Sequence, residues 1–173
     1  MTVEYFGNFV VHILGLVVDP DVYVRHICPM LLASPHVLQL RKDDHVTVQA
    51  DPVSGSIAMT WQGFAPSHAY RGILDDALSN VCLHKLCFWF SDFRGMNAIL
   101  RQDERWTVEE WFPRVVGSGL QRMAIVMSDD FFNRMAVERI MAEVLPSLPF
   151  AVSYFEGPAQ ARAWMLDRDV KRM

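Results

Sequence analysis

Downstream of Ser34 the apolar residues switch between two periods, and the switching predicts an ordered set of strands and helices. Val37 to Arg41 and Val46 to Gln49 are short alternating runs rich in β-branched residues, and Ile57 to Trp61 follows a "DPVSG" turn. Such runs read as strands joined by hairpins. In "APSHAYRGILDDALSNV", Tyr70, Ile73, Leu74, Ala77, Leu78 and Val81 recur at helical spacing behind Ser67 as N-cap, with Arg71, Asp75 and Asp76 on the far side. This spacing predicts an amphipathic helix lying on a sheet. Lys85 to Ser91 is the next strand, and its unbroken "LCFWF" predicts cover on both faces.

The same reading continues to the end of the chain. "QDERWTVEEWFPRVVGSG" is a helix with Asp103 and Glu104 near its start and Trp111, Phe112, Val115 and Val116 on one face. Pro113 should kink it or close its regular part. "RMAIVM" is a strand, "SDDFFNRMAVERIMAEVL" a helix capped by Ser128, "FAVSYF" the last strand, and "GPAQARAWMLDRDV" the last helix, with Pro158 in its first turn. Hairpin strands followed by repeated strand-helix units predict an α/β fold, a mixed sheet with helices packed on it.

The first 33 residues carry no clean period and form an unassigned extension to a domain over residues 34–173. One reading takes Met30 as the start of the protein proper and the 29 residues before it as an upstream extension. Phe9 to Val18 is interrupted by His12 and falls short of the about 20 apolar residues that span a bilayer. No positive charge precedes it, so it does not read as a signal peptide either.

Composition narrows the function classes. The chain has 173 residues, a hydrophobic fraction of 51% and a net charge of −4. That is enough apolar matter for one core and no electrostatic reason to expect nucleic acid or stable membrane insertion. Cys28, Cys82 and Cys87 lie within or beside apolar runs, as expected of reduced thiols packed as small hydrophobes in a cytoplasmic protein. The six histidines share no metal-ligand spacing, and neither a metal nor a cofactor is expected. The "GSG" at Gly117 to Gly119 precedes a strand rather than a helix, the reverse of a phosphate loop.

An ordered set of short motifs remains: "WQGF" at Trp61 to Phe64, "YRGILDDAL", "DFR", "WTVEEWFPR", "QRMAIVMSDDFF" and "FEGPAQARAWML". From about Val37 to Leu166 the chain thereby resembles the SpoIIAA-like family, relatives of the STAS domain and especially a version found in Bacteroidetes. The resemblance implies a STAS-type mixed sheet and action by docking to a protein partner. In the best-understood relatives a serine just after an Asp, at a strand-to-helix junction, is phosphorylated. The comparable stretch here reads Ser91-Asp92-Phe93-Arg94 with no hydroxyl after the Asp, so the resemblance does not carry that switch over.

Ligands of open α/β sheets gather beyond the carboxyl ends of the parallel strands. That rule directs attention to loops expected at Ser91 to Asn97, Met127 to Asp130 and Tyr154 to Gly157, with Asp92, Arg94, Ser128, Asp129 and Trp61 as candidate ligand- or partner-binding residues. A more local reading pairs Asp92 with Arg94 and lets Phe93 plug the end of the core. The leading expectation is a non-catalytic, cytoplasmic regulatory module that binds a protein partner or self-associates as a homodimer through exposed apolar helix surface. The second is a carrier of a small apolar or lipid-like ligand, with Trp61, Trp106, Trp111 and Trp164 lining a cavity as in the CRAL-TRIO lipid-transfer layout. The third is an enzyme using Asp92, Arg94 and Ser128.

Overall fold

A computed structural model describes residues 11–13, 16–18 and 36–167. The chain divides into two compact units, Met1–His36 and Val37–Met173. In the first, strands β1 (Val11–Ile13) and β2 (Leu16–Val18) pair antiparallel, Val11 opposite Val18. The sequence pattern assigns nothing here, and Met30 lies outside the described residues.

The second unit is an α/β domain. Strands β3 (Leu38–Lys42), β4 (Val46–Asp51) and β5 (Ser56–Gly63) form an antiparallel ladder. Helix α1 (Ser67–His84) leads to β6 (Phe88–Met96), and a three-part helix leads on to β7 (Arg122–Val126). Helix α4 (Phe131–Val144), β8 (Ala151–Phe155) and α5 (Pro158–Leu166) complete the chain. The six-stranded sheet runs β3-β4-β5-β6-β7-β8, with β5 through β8 parallel.

The two faces of this sheet are covered unequally. Val46, Val48, Ile57, Met59, Trp61, Trp89, Met123 and Ile125 point to one face and join the apolar stripes of α1, the three-part helix and α4 in the main core. On the other face Phe90, Ala124 and Val126 pack against Ala161 and Met165 of α5. Because successive side chains of a strand point to opposite faces, β6 needs cover on both; β5 and β7 satisfy its main chain, and the helices of the two clusters cover its faces. The strand expected from Lys85 begins only at Phe88, because Lys85 closes α1 in the left-handed conformation; the central position holds for Trp89 and Phe90, each 1% exposed, and Leu86 is buried just ahead of the strand.

Local details correct several expectations. Ser67 is the first helical residue and not the cap of α1; Pro66 occupies that position, and the Ser67 hydroxyl donates to Asp103 at 2.7 Å. The three-part helix comprises α2 (Arg101–Trp106), a π-helical turn (Thr107–Trp111) and α3 (Phe112–Val116). The widened turn sits just before Pro113, which has no N–H to donate, and the Phe112 N–H reaches back to the Thr107 carbonyl. Trp111, Phe112 and Val115 are buried as expected, but Val116, in the last turn, is exposed. Cys82 is exposed on α1 rather than packed, and Cys87 is half-buried; both are free thiols, while Cys28 lies outside the described residues.

Candidate functional site

The largest correction concerns "SDFRG". The pattern predicts a loop from Ser91, but β6 continues to Met96 because β5 runs on beside it: Thr60 pairs with Asp92, Gln62 with Gly95 and Gly63 with Met96. Each polar residue in this stretch is satisfied within the strand. The Ser91 hydroxyl, on the core face, accepts from Trp89 Nε1 at 2.9 Å. Asp92 is 4% exposed and takes hydrogen bonds from the Arg94 backbone N–H, Nε and Nη2. Those bonds and the attraction of Asp92, reinforced by Asp129, hold the Arg94 guanidinium above its ordinary value. Phe93 faces the core and stacks on Trp61, ring centroids 6.1 Å apart. A register shift between Thr60 and Gln62 accommodates the extension.

Pairing with β7 stops at Asp92 opposite Val126, so β6 projects past its neighbour and forms the rim. The start of α4 is tied to this projection. The Ser128 hydroxyl donates to the Met96 carbonyl at 3.0 Å, and Asn133 Nδ2 donates to the Asn97 carbonyl at 2.7 Å. Ser128 is therefore not the cap of α4. It is 1% exposed, with its hydroxyl turned inward and accepting from the Asp130 N–H. Asp130 is the cap, its carboxylate accepting from the Asn133 N–H at 2.8 Å.

The predicted site residues thus fall into two groups. Asp92 and Arg94 meet at the rim and satisfy one another, with Asp129 exposed beside them. Trp61 and Ser128 are buried, so neither presents a surface to a partner. An open cleft of about 340 Å³ between the ends of β7 and β8 is lined by Met127, Asp129, Arg134, Tyr154, Phe155 and Glu156, and of the predicted residues it takes in Asp129 alone.

Sequence reasoning missed the most exposed apolar feature of the rim. Phe131 and Phe132 open α4 and are 65% and 67% exposed, their rings edge to face with centroids 5.7 Å apart. Met135, one turn on, is exposed as well. The "SDDFF" junction carries the signal: an Asp cap at Asp130 places the next two residues in the first turn, ahead of the buried stripe Ala136, Val137 and Ile140.

Other parts of the domain show internal satisfaction rather than an open site. Asp103 and Glu104 stand in the first turn of α2, near the helix start as expected, and are buried there: Asp103 pairs with Arg71 at 2.8 Å, and Glu104 with Arg139 at 2.7 Å and Arg101 at 3.1 Å. Glu104 borders a polar groove of about 790 Å³ between α2 and α4. Trp89, Trp111 and their neighbours enclose a void of only about 50 Å³. Trp106 is core, and Trp164 leans on Phe155 across the other face. Among the described residues no three histidine, cysteine or carboxylate side chains converge as metal ligands, and no helix is long and apolar enough to cross a membrane. No family model, curated protein or solved structure matches the chain.

Proposed function

We propose that the domain is a cytoplasmic, STAS-like binding module that works by docking a protein partner on the carboxyl-end rim of its sheet. The observation that carries this reading is the Phe131–Phe132 pair, two large apolar rings held outward at a rigid helix start. Burying one phenylalanine stabilises a contact by about 1.5–3 kcal/mol, so the pair supplies an anchor of hot-spot size. Two neighbouring exposed rings cost solubility in a protein that has no use for them.

The surroundings fit a protein surface better than a small ligand. Met135 extends the apolar patch, while Asp129, Arg134 and Arg94 provide charges of both signs near it, an apolar centre with a polar border. The partner suited to this is a protein with an apolar pocket for the two rings, rimmed by charged side chains. The order of antiparallel strands followed by strand-helix units supports the STAS-like assignment. In that reading Asp92 and Arg94 brace the projecting end of β6. A lipid-carrier role has less support, because a void of about 50 Å³ does not hold an acyl chain without opening the core.

A photo-crosslinking amino acid in place of Phe132, compared with one in place of the equally exposed Leu83 at the far end of α1, tests the reading in cells. One discrete adduct at position 132 that is absent at position 83 is expected. The same adducts at both positions, or none at 132, would refute it.

A further inference from the structure

The two margins of the six-stranded sheet are treated differently. β3 carries the usual guards of an edge strand: a register shift between Gln39 and Arg41, and the charged residues Arg41 and Lys42. β8 has none of them. Its five residues, Ala151-Val152-Ser153-Tyr154-Phe155, hold no charge and no proline, and its register with β7 is unbroken.

The direction of the free hydrogen-bonding groups follows from the ladder. The Ala151 N–H reaches the Gln121 carbonyl, and the Phe155 carbonyl accepts from the Met127 N–H. In a parallel ladder alternate residues bond the same neighbour, so Ala151, Ser153 and Phe155 turn their main chain toward β7. Val152 and Tyr154 turn theirs outward, where no main-chain group of the described residues meets them. Four strong donors and acceptors, two of each, are thus presented in line along an uncharged edge.

We infer that β8 pairs antiparallel with β8 of a second copy of this chain about a two-fold axis through Ser153, joining two sheets into one. The stereochemistry selects this occupant. A two-fold at Ser153 sets Val152 opposite Tyr154 of the second copy, and these are the residues whose main chains face outward, so all four groups are satisfied in two reciprocal pairs. The side chains complement in size and type: alanine meets phenylalanine, valine meets tyrosine, and serine meets serine. Aromatic with β-branched and hydroxyl with hydroxyl are favourable cross-strand pairs, and no charge is set against its like within the strand. Tyr154 keeps 43% of its surface exposed, leaving ring area for the contact. This pairing is independent of the rim, and its test does not involve Phe131 or Phe132.

The test is the mass of the full chain in solution by light scattering, from low to high micromolar concentration, under reducing conditions. Twice the 19.8 kDa chain mass is expected at the upper end. Tyr154→Pro removes an outward N–H and leaves the β7 ladder intact, so it should yield a monomer. Ser153→Cys, made with Cys28, Cys82 and Cys87 replaced by serine, gives an independent signature: residues facing each other in a non-hydrogen-bonded antiparallel pair stand within disulfide reach, and mild oxidation should crosslink this variant but not the same background with Ser153 retained. A parent that stays monomeric at high micromolar concentration overturns the inference. So does a parent dimer with no crosslink in Ser153→Cys, because that dimer must use another surface.

Discussion

Adding one methyl group at two glycines should change stability in opposite directions. Gly95 lies where β6 projects beside the irregular end of β5, and a Cβ there would stand 2.8 Å from the Trp61 carbonyl oxygen and 3.7 Å from the Gln62 Cα. Both are main-chain atoms of the paired strand, so relief requires the two strands to separate rather than a side chain to rotate. Overpacking of this kind costs about 1–3 kcal/mol. For a domain of this size each kcal/mol moves the thermal midpoint by about 2–4 °C, so Gly95→Ala should lower it by roughly 2–12 °C. Gly72 lies inside α1, and a Cβ there meets nothing within 4 Å. Gly72→Ala should therefore show the bare helix preference of alanine, about 0.8–1 kcal/mol, and raise the midpoint by about 2–4 °C. Thermal unfolding followed by circular dichroism measures both variants against the parent. An unchanged Gly95→Ala would refute the close approach of β5 and β6 at the rim, and a destabilised Gly72→Ala would refute the open surface of α1.

Two further outcomes follow from buried polar groups. Glu104 is 6% exposed and accepts three hydrogen bonds from Arg139 and Arg101, so Glu104→Gln should lower stability by about 1–3 kcal/mol, the smaller values reflecting guanidiniums that water can reach. An unchanged urea midpoint would contradict that pairing. Burial raises the Tyr70 phenol well above its ordinary value of 10, outweighing the hydrogen bond to Thr107. A group whose folded pKa is raised contributes stability that is complete below about pH 10 and is lost as pH rises toward the folded value. Tyrosinate absorbance should therefore show Tyr70 silent through the ordinary range and appearing only with alkaline unfolding; its appearance near pH 10 in folded protein would disprove the burial.

Much of the second unit is legible in the chain because period and burial coincide there. The stripe from Tyr70 to Val81 is buried as the helical spacing requires, and Trp89 and Phe90 of "LCFWF" are central because only a strand covered twice tolerates an unbroken apolar run. The failures share a cause: local pattern cannot see a tertiary partner. Ser91 and Asp92 look like the start of a loop, yet Trp89 and Arg94 satisfy them and β5 continues beside them. Ser67 and Ser128 look like caps, yet their hydroxyls serve Asp103 and Met96, more than thirty residues away in each case. Asp103 and Glu104 are first-turn acids, as their place near the helix start suggests, but only the approach of Arg71 and Arg139 explains their burial. The exposure of Phe131 and Phe132 escapes the pattern, because hydrophobicity says nothing about which end of a helix overhangs its sheet.

In the proposed function the two overhanging rings, and not the Asp92–Arg94 pair, make the contact with a partner. The direct measurement is calorimetric titration of the partner captured at position 132 against the parent and against the double variant Phe131→Ser, Phe132→Ser. Both sites are two-thirds exposed, so the variant should keep the parent's thermal midpoint while its affinity falls about a hundredfold or more, the loss of roughly 3 kcal/mol of hot-spot contact. Equal affinity in a fully folded double variant would contradict the account.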